Sequence, residues 1–562
     1  MSKTLGFYNL TGGLNTVQDL ATINSTTNRT ESPDMLNIEY YKLGGIQAMK
    51  GNKMIGKVDD FTEINGTDYG DIICGIEYIL GNRSYMVVAD KLGYIYEYDK
   101  TDKEFKPIIQ DDDAQNEDDK YLKFHFQYID TDAEDPELDT DFYDNVRIYA
   151  VTYNNGIVFV NGKEALYYNH DKPQMNKVWT PVLTIDDNGN TVSTTFYPVC
   201  LASYRGRLFF GANVAEQEGT TYEGGMLFYS GVGLGIEDTW EESANVGEDA
   251  GAFKEFFEDS SNFTGLGTWA EYLVIHKEQN TYLLDGTADL ADSWELKPYS
   301  EYTVPSQQSY IVANNGYYTY VPEAGGIYPL LSRSIYNNMY QGGDLSVKIK
   351  DSFDLIDTLN YSKIYTTYHA KKKYIMFYIP TLDGNGSNNC FIYDVNTKTW
   401  LRRRVPQYVT CAFKYNNEVY IGVKDTETNH VKVLKEFSGK TFDGTSIEFY
   451  YLTPPFIWGG GTNKTTTKEF RVKLINSSAN HFYVESFRDG LMNTKEQRLI
   501  KNVNDNLDGL TWDIGVSQDD RLYDESYIPK TFYEYTVGDN KYYAEVTNTD
   551  IVDNTKIYGD IQ

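Results

Sequence analysis

The stretch FIYDVNTKTWLRR, residues 391–403, reads as a β-hairpin. Phe391 to Asp394 is aromatic and β-branched, Val395-Asn396-Thr397 supplies a turn, and Lys398 to Arg403 returns with Trp400 six residues after Asp394. It has the form of the outer half of a four-stranded antiparallel unit. The phrase recurs upstream: YIYEYD (94–99) then Phe105, ALYYN (165–169) then Trp179, MLFYS (226–230) then Trp240, and YLLD (282–285) then Trp294. Ahead of these outer hairpins stand inner ones. Their turns fall near 82, 155, 206, 270, 315, 371 and 417, several of them on Asn-Asn, Gly-Asn or Arg-Gly pairs that reach positive φ easily.

Seven similar units at roughly 45 to 75 residues each predict a ring of blades. The expected fold class is therefore all-β: a β-propeller of about seven four-stranded blades, or six if one hairpin belongs to an insertion. Composition agrees. The 562 residues include 50 Tyr and 27 Phe against 10 Met, and no long amphipathic helix is evident, the best helical candidate being the acidic stretch 248–260. The expected domains are an N-terminal arm and hairpin (1–70) that lends the last blade its missing strand, the propeller (71–442), and a C-terminal β-sandwich-like domain (443–562).

The formal net charge is −32, which argues against a protein that grips nucleic acid by its phosphates but suits a surface past which nucleic acid slides. Cys74, Cys200, Cys390 and Cys411 show no CxxC or metal spacing and read as buried free thiols. MSKTLGFYNL lacks an apolar signal core, and no run of about 18 apolar residues occurs. The expectation is a soluble protein, made in the cytoplasm, with no membrane insertion.

The opening of the chain is punctuated differently. Gly12-Gly13 precedes a polar stretch, then Met35-Leu36-Asn37-Ile38-Glu39-Tyr40-Tyr41, a turn at Gly44-Gly45, and Met49-Lys50-Gly51. This pattern resembles the opening of the nozzle, or tail tubular B, proteins of short-tailed bacteriophages, and of their relatives known as packaged-DNA stabilisation or tail accessory proteins. Where that family closes on Arg-Pro-Gly, this chain has Met49-Lys50-Gly51. The resemblance covers residues 10–55 by motif and the propeller by architecture. It implies a structural virion protein of the phage tail, assembled in the host cytoplasm. Such a protein forms a homo-oligomeric ring of six copies below the portal and adaptor and contacts other tail proteins. It retains packaged double-stranded DNA and conducts it during ejection without reading its sequence. The family-motif positions are then Gly12, Gly13, Asn37, Gly44, Gly45, Lys50 and Gly51.

Two acidic runs, 111–119 and 130–144, sit in an insertion at 107–145 and lack the closing pattern of a calcium loop. KYLKFHFQYI between them reads as a strand, making the insertion a structured protrusion. Asp111, Asp112 and Asp113 are candidate lumen or subunit contacts. So are Arg402, Arg403 and Arg404, which with Lys371–Lys373 form the basic clusters of an acidic chain. Gly231, Gly233 and Gly235 lead into an acidic strand rather than a helix and read as a loop.

No catalytic motif emerges. The six histidines, at 125, 170, 276, 369, 430 and 481, form no HxH or HExxH pair, and no P-loop or G-x-S-x-G elbow occurs. No catalytic residue, metal or cofactor is expected, and the protein reads as a non-enzyme. The alternative is a carbohydrate-binding or carbohydrate-cleaving propeller recognising a receptor, with tyrosines as sugar platforms and a carboxylate pair as catalyst. The Ser-x-Asp-x-Gly-x-Thr-Trp repeat of sialidases is not found. A cytosolic interaction scaffold is the third reading.

Overall fold

The computed structural model describes residues 9–17, 30–41, 45–57, 71–110, 120–125, 128–129, 137–138, 145–187, 190–241, 251–253, 259–286, 294–314, 316–333, 338–341, 343–354, 356–382, 389–424 and 431–453, and in the C-terminal part 469–473, 481–488, 491–501, 511–515, 531–537 and 540–546. Seven sheets follow one another along the chain, antiparallel but for one pair in blade 3: blade 1 (72–107), blade 2 (149–179), blade 3 (182–253), blade 4 (263–300), blade 5 (310–341), blade 6 (365–404) and blade 7 (408–436). The innermost strand of blade 7, Tyr408–Tyr415, lies beside that of blade 1, Ile72–Leu80, so the circle closes as a seven-bladed β-propeller. Asn52–Lys57 of the arm pairs antiparallel with Val431–Glu436 and supplies the outer strand of blade 7.

The blades interleave aromatic side chains, which explains why their middle strands are buried throughout rather than alternating. Gly156–Val160, Gly316–Val321, Tyr374–Ile379 and Asn389–Asp394 are buried at every residue, because each faces a neighbouring blade on both sides. The inner turns at Asn154-Asn155, Arg205-Gly206 and Asn416-Asn417 all have positive φ at both positions, the twist that a two-residue hairpin demands.

The stretch 391–403 owes its spacing to one carboxylate. Asp394 Oδ1 accepts the amides of Asn396 (2.8 Å) and Thr397 (3.4 Å), while the Lys398 amide donates to Asp394 O at 2.7 Å and Lys398 takes φ 56°. Trp400 then falls opposite Tyr393, ring centroids 5.1 Å apart. Blade 1 repeats this turn: Asp99 Oδ1 accepts from Thr101 and Asp102, Lys103 takes φ 61°, and Phe105 faces Tyr98.

Several expectations are corrected. Trp240 is not in the return strand of an outer hairpin; Thr239–Glu241 pairs in parallel with Val182–Asp187 at the opposite edge of blade 3. The loop through Gly235, packed on Leu208 and Tyr153, carries the chain back there, and the Trp240 ring stacks on Phe210. The outer strand of that blade is Gly251–Phe253, inside the stretch read as the best helix. Blade 3 thus has six strands, and its long inner strand, Asn190–Tyr204, breaks register around Pro198, which has no amide to give the ladder.

The segment 120–125 does not protrude. The Leu122 amide bonds Ile108 O, and Leu122 and Phe124 are buried in the core shared by blades 1 and 2. The domain boundary lies at 454/455 rather than 442/443. Tyr450–Tyr451 pairs with Met35–Leu36 of the arm, so this predicted strand of the C-terminal domain belongs with the propeller. The second unit, 455–562, contains three antiparallel pairs: Glu469–Lys473 with Thr511–Gly515, His481–Arg488 with Leu491–Lys501, and Thr531–Val537 with Asn540–Val546.

Ring closure is locked by Arg403. Its side chain is wholly buried, Nη2 lies 2.5 Å from Glu436 Oε2, also wholly buried, and Nη1 and Nη2 donate to Lys50 O (2.9 Å) and Gly51 O (3.2 Å). The guanidinium is sandwiched near the rings of Phe437 and Phe442. Arg403→Ala leaves a buried carboxylate without its counter-ion and is expected to cost about 3–5 kcal/mol in urea unfolding, whereas Arg402→Ala, at a partly exposed pair, costs about 1 kcal/mol or less.

Candidate functional site

The candidate residues singled out in the sequence converge on the arm, but as structure rather than as a free surface. Arg402 meets Asp34 Oδ1 at 2.9 Å and donates to Tyr450 Oη at 2.6 Å. The Arg404 amide donates to Asn37 Oδ1 (3.0 Å) and its Nε to Asn389 Oδ1 (3.1 Å). Lys372 is paired with Glu39, and Lys371 with Glu418. The expectation that Arg402, Arg403 and Arg404 form a lumen or partner contact is therefore corrected for Arg403, which is buried inside its own chain. Four of these basic residues hold arm residues between 34 and 51.

Asn37 is the hub of the arm. It sits at φ 52°, a left-handed conformation that Asn tolerates better than most residues. Its amide donates to Arg402 O (2.9 Å), its Nδ2 to Glu448 O (2.7 Å), and its carbonyl accepts from Met49 (2.8 Å). Gly13, at φ 90°, lies against blade 6, where a Cβ would stand 2.6 Å from Thr399 Cβ. Gly12 donates to Thr30 O, and a Cβ on Gly51 would stand 1.8 Å from Thr441 O. Gly45 O accepts the Tyr41 amide and closes the small hairpin, and the exposed Lys50 contributes its carbonyl to Arg403. Gly44 and Asp111–Asp113 lie outside the described residues.

A second concentration of polar groups, missed in the sequence, lies on the propeller axis. The turn Ser306–Ser309 precedes the inner strand of blade 5 and stoppers the channel. Gln307 exchanges two hydrogen bonds with the Leu201 backbone of blade 3 (2.8 and 3.1 Å). Gln308 Nε2 donates to Ile73 O and Ile148 O of blades 1 and 2 (3.1 and 3.2 Å), and Thr366 of blade 6 donates to Ser309 O. Gly265 in blade 4 admits the turn, since a Cβ there would stand 3.1 Å from Gln307 Cα.

Around the stopper, where the inner strands begin, stand Asp71, Arg147, Lys363 and Tyr408, with Lys91 and Lys424 at the ends of the second strands of blades 1 and 7. Burial raises the Asp71 carboxyl, opposed by the charges of Lys424, Lys91 and Lys363. Arg147 Nη2 donates to Ser362 Oγ at 3.0 Å. No single motif signals this site, because its members come from four separate blades.

A groove of about 310 Å³ on the rim of blade 1 is lined by Ser84, Tyr85, Glu97, Tyr98, Asp99, Lys100 and Lys106. Glu97 accepts from Tyr168 and lies 2.8 Å from His170 Nδ1. Hydrogen bonding from Lys106 pushes the Asp99 carboxyl down to about 2. His125 and His369 also face single carboxylates, Glu164 and Glu418, and no group of three potential metal ligands occurs among the described residues. His430 lies outside them. All four cysteines are free and buried, and burial raises each thiol. No helix among the described residues is long and apolar enough to cross a membrane.

These features define a seven-bladed propeller with a clamped arm and a stoppered axis. No protein-family model and no curated protein matches the chain. Among solved structures it is similar to the computationally designed Ika8 protein (TM-score 0.34, 11% identity, covering 68% of this chain and 99% of that one). It is also similar to the β-propeller domain of Cps50 (Swd1) from Myceliophteria thermophila (0.37, 8%, 68% and 99%). A third is the extracellular domain of the putative one-component system BT4673 from B. thetaiotaomicron (0.39, 8%, 97% and 63%). Likenesses this distant say nothing of what the chain does.

Asn37→Gly keeps the left-handed backbone but strands the Arg404 amide and the Glu448 carbonyl, a loss of about 1–3 kcal/mol; Asn37→Ala is expected to cost about 1 kcal/mol more, read by urea unfolding of the two variants. A pH effect centres on His276, buried between Thr281 Oγ1 (2.8 Å) and Tyr317 Oη (2.5 Å) and lowered by burial to about 3. The unfolded imidazole takes a proton below about pH 6.5 and the folded one does not, so acid favours unfolding. His276→Gln should remove about 2 kcal/mol of the stability change between pH 7 and pH 5, measured by urea unfolding at both.

Proposed function

We propose that this chain is a structural subunit of a short-tailed bacteriophage tail: a nozzle protein that rings below the portal and adaptor, retains the packaged DNA and conducts it at ejection. The observation that carries the proposal is the arm. Gly12, Gly13, Asn37 and Gly51, four positions of the sequence pattern shared with that family, all serve one construction, the clamping of residues 9–57 over blade 6 into blade 7. The pattern thus marks a way of closing a propeller rather than a coincidence of glycines. The protein works through shape and charge and uses no cofactor. Because the axis of each propeller is stoppered by Gln307 and Gln308, the conduit is the lumen between copies, not a channel through one. A net charge of −32 keeps passing phosphates from sticking over about 8 Å at physiological salt.

The test is the native mass of the purified protein, alone and mixed with portal and adaptor rings, followed by electron microscopy. A closed ring, alone or formed on the adaptor, is the expected result. A monomer that ignores both rings overturns the proposal. The carbohydrate-binding reading draws on a separate observation, the blade 1 groove with Tyr85 and Tyr98 beside Glu97. Binding on a glycan array that is lost in Tyr85→Ala would favour it.

A further inference from the structure

We propose that the groove on the rim of blade 1 binds a neutral glycan and leaves it uncleaved, a role that rests on the carbohydrate reading of this groove and is separate from the nozzle. Charge balance is the first ground. The lining holds two carboxylates, Glu97 and Asp99, and two ammonium groups, Lys100 and Lys106, a net charge of zero (2 − 2) in a chain of −32. An anionic ligand would meet both carboxylates, and a cationic one both lysines. A neutral polyol meets neither penalty, and each of its hydroxyls can donate and accept. The volume of about 310 Å³ falls at the lower end of the range of about 300–1,000 Å³ common to small-ligand sites.

Unspent hydrogen-bonding capacity is the second ground. Glu97 Oε2 accepts from Tyr168 and lies 2.8 Å from His170 Nδ1, while Glu97 Oε1 has no hydrogen-bond partner among the described residues. Lys100 donates one N–H to Ser84 O at 2.8 Å, and an ammonium has two more to give. The groove thus offers a fixed acceptor and a tethered donor to the hydroxyls of one sugar. Two tyrosines complete it. The Tyr85 ring is held against His170 (centroids 4.1 Å apart) and Tyr78 (5.7 Å), and the Tyr98 ring against Phe105 (5.1 Å), with its hydroxyl donating to Ile55 O at 3.0 Å. Both rings are set before a ligand arrives, and a flat aromatic face suits the C–H face of a pyranose.

Cleavage of a glycosidic bond calls for two carboxylates at the sugar, one of them giving a proton. Both oxygens of Asp99 are spent on structure. Oδ2 takes Lys106 at 2.7 Å, and Oδ1 takes the amides of Thr101 (2.8 Å) and Asp102 (3.4 Å), the bonds by which Asp394 builds the same turn in blade 6. Glu97 is left without a second carboxylate in the groove.

The experiment is isothermal titration and saturation-transfer NMR of the full chain with the methyl glycosides of glucose, galactose, mannose and N-acetylglucosamine, and with glucuronate and glucosamine as charged counterparts. At least one neutral glycoside is expected to bind saturably, weakened about 10-fold or more in Tyr85→Ala and in Lys100→Met and unchanged in Lys297→Met on blade 4. The matching nitrophenyl glycosides are expected to release no nitrophenol. The exposed Lys100 keeps the test decisive if Tyr85→Ala does not fold. Binding of the charged sugars alone overturns the neutral ligand and leaves the carbohydrate reading standing, and release of nitrophenol overturns binding without cleavage. Neutral binding that both groove variants retain places the sugar elsewhere and overturns the proposal. No binding of any probe overturns the proposal and the carbohydrate reading together, and a ring formed on the adaptor would be untouched by that result.

Discussion

The buried pair between Arg403 and Glu436 is the constraint on which the rest of the propeller depends. A ring of blades has one seam, and here the seam lies between the third strand of blade 7, Val431–Glu436, and the arm strand that completes that blade. Both charges are fully removed from water, so each needs the other and the surrounding hydrogen bonds. The carbonyls of Lys50 and Gly51 and the faces of Phe437 and Phe442 complete the shell around the guanidinium. An apolar plug would fill the same space. It would not fix the register in which Asn52 meets Glu436, and that register decides which face of the strand turns inward.

Around that pair several basic residues serve one task. The side chains of Lys372, Arg402 and Arg403 each bind a piece of the arm, through Glu39, Asp34 and the carbonyls of residues 50–51, and the backbone amide of Arg404 holds Asn37. In an acidic chain this is economical: the arm is held by groups that the rest of the surface does not compete for. The cost is that these cations are unavailable for any outside partner.

The fold was legible because its signals are local. Several inner turns carry an Asn-Asn or Arg-Gly pair and the middle strands are rich in aromatic and branched residues, so a propeller of about seven blades and the borrowed strand of the arm could be read, with six blades left open. Recurrence of Trp was a weaker guide. The turn at Asp394 returns at Asp99 with the same bonds, whereas Trp240 shares only the spacing and sits in a parallel strand across blade 3. The arginines were misread for a related reason: alternation along Thr399–Arg404 says that Arg403 points away from its neighbours but not that blade 7 and the arm cover it. The axial mouth was invisible because Asp71, Arg147, Lys363 and Lys424 are strangers in sequence, brought together only by closure of the circle.

That closure has a consequence for how the chain is made. The arm leaves the ribosome before the blades, and Glu436, its partner in the last blade, follows about 380 residues later, an interval of roughly 20 to 80 seconds at ordinary rates of synthesis. Throughout that time the inner blades can stack in order, but the arm has no partner and the last edge is not yet built. The run LATINSTTNRTESPD that precedes Met35 suits such a wait, since it is mostly polar and closes on Pro33-Asp34, whose proline has no amide to offer a wrong strand. The newborn propeller is thus a spring left open, snapped shut by its waiting arm only when its last blade arrives.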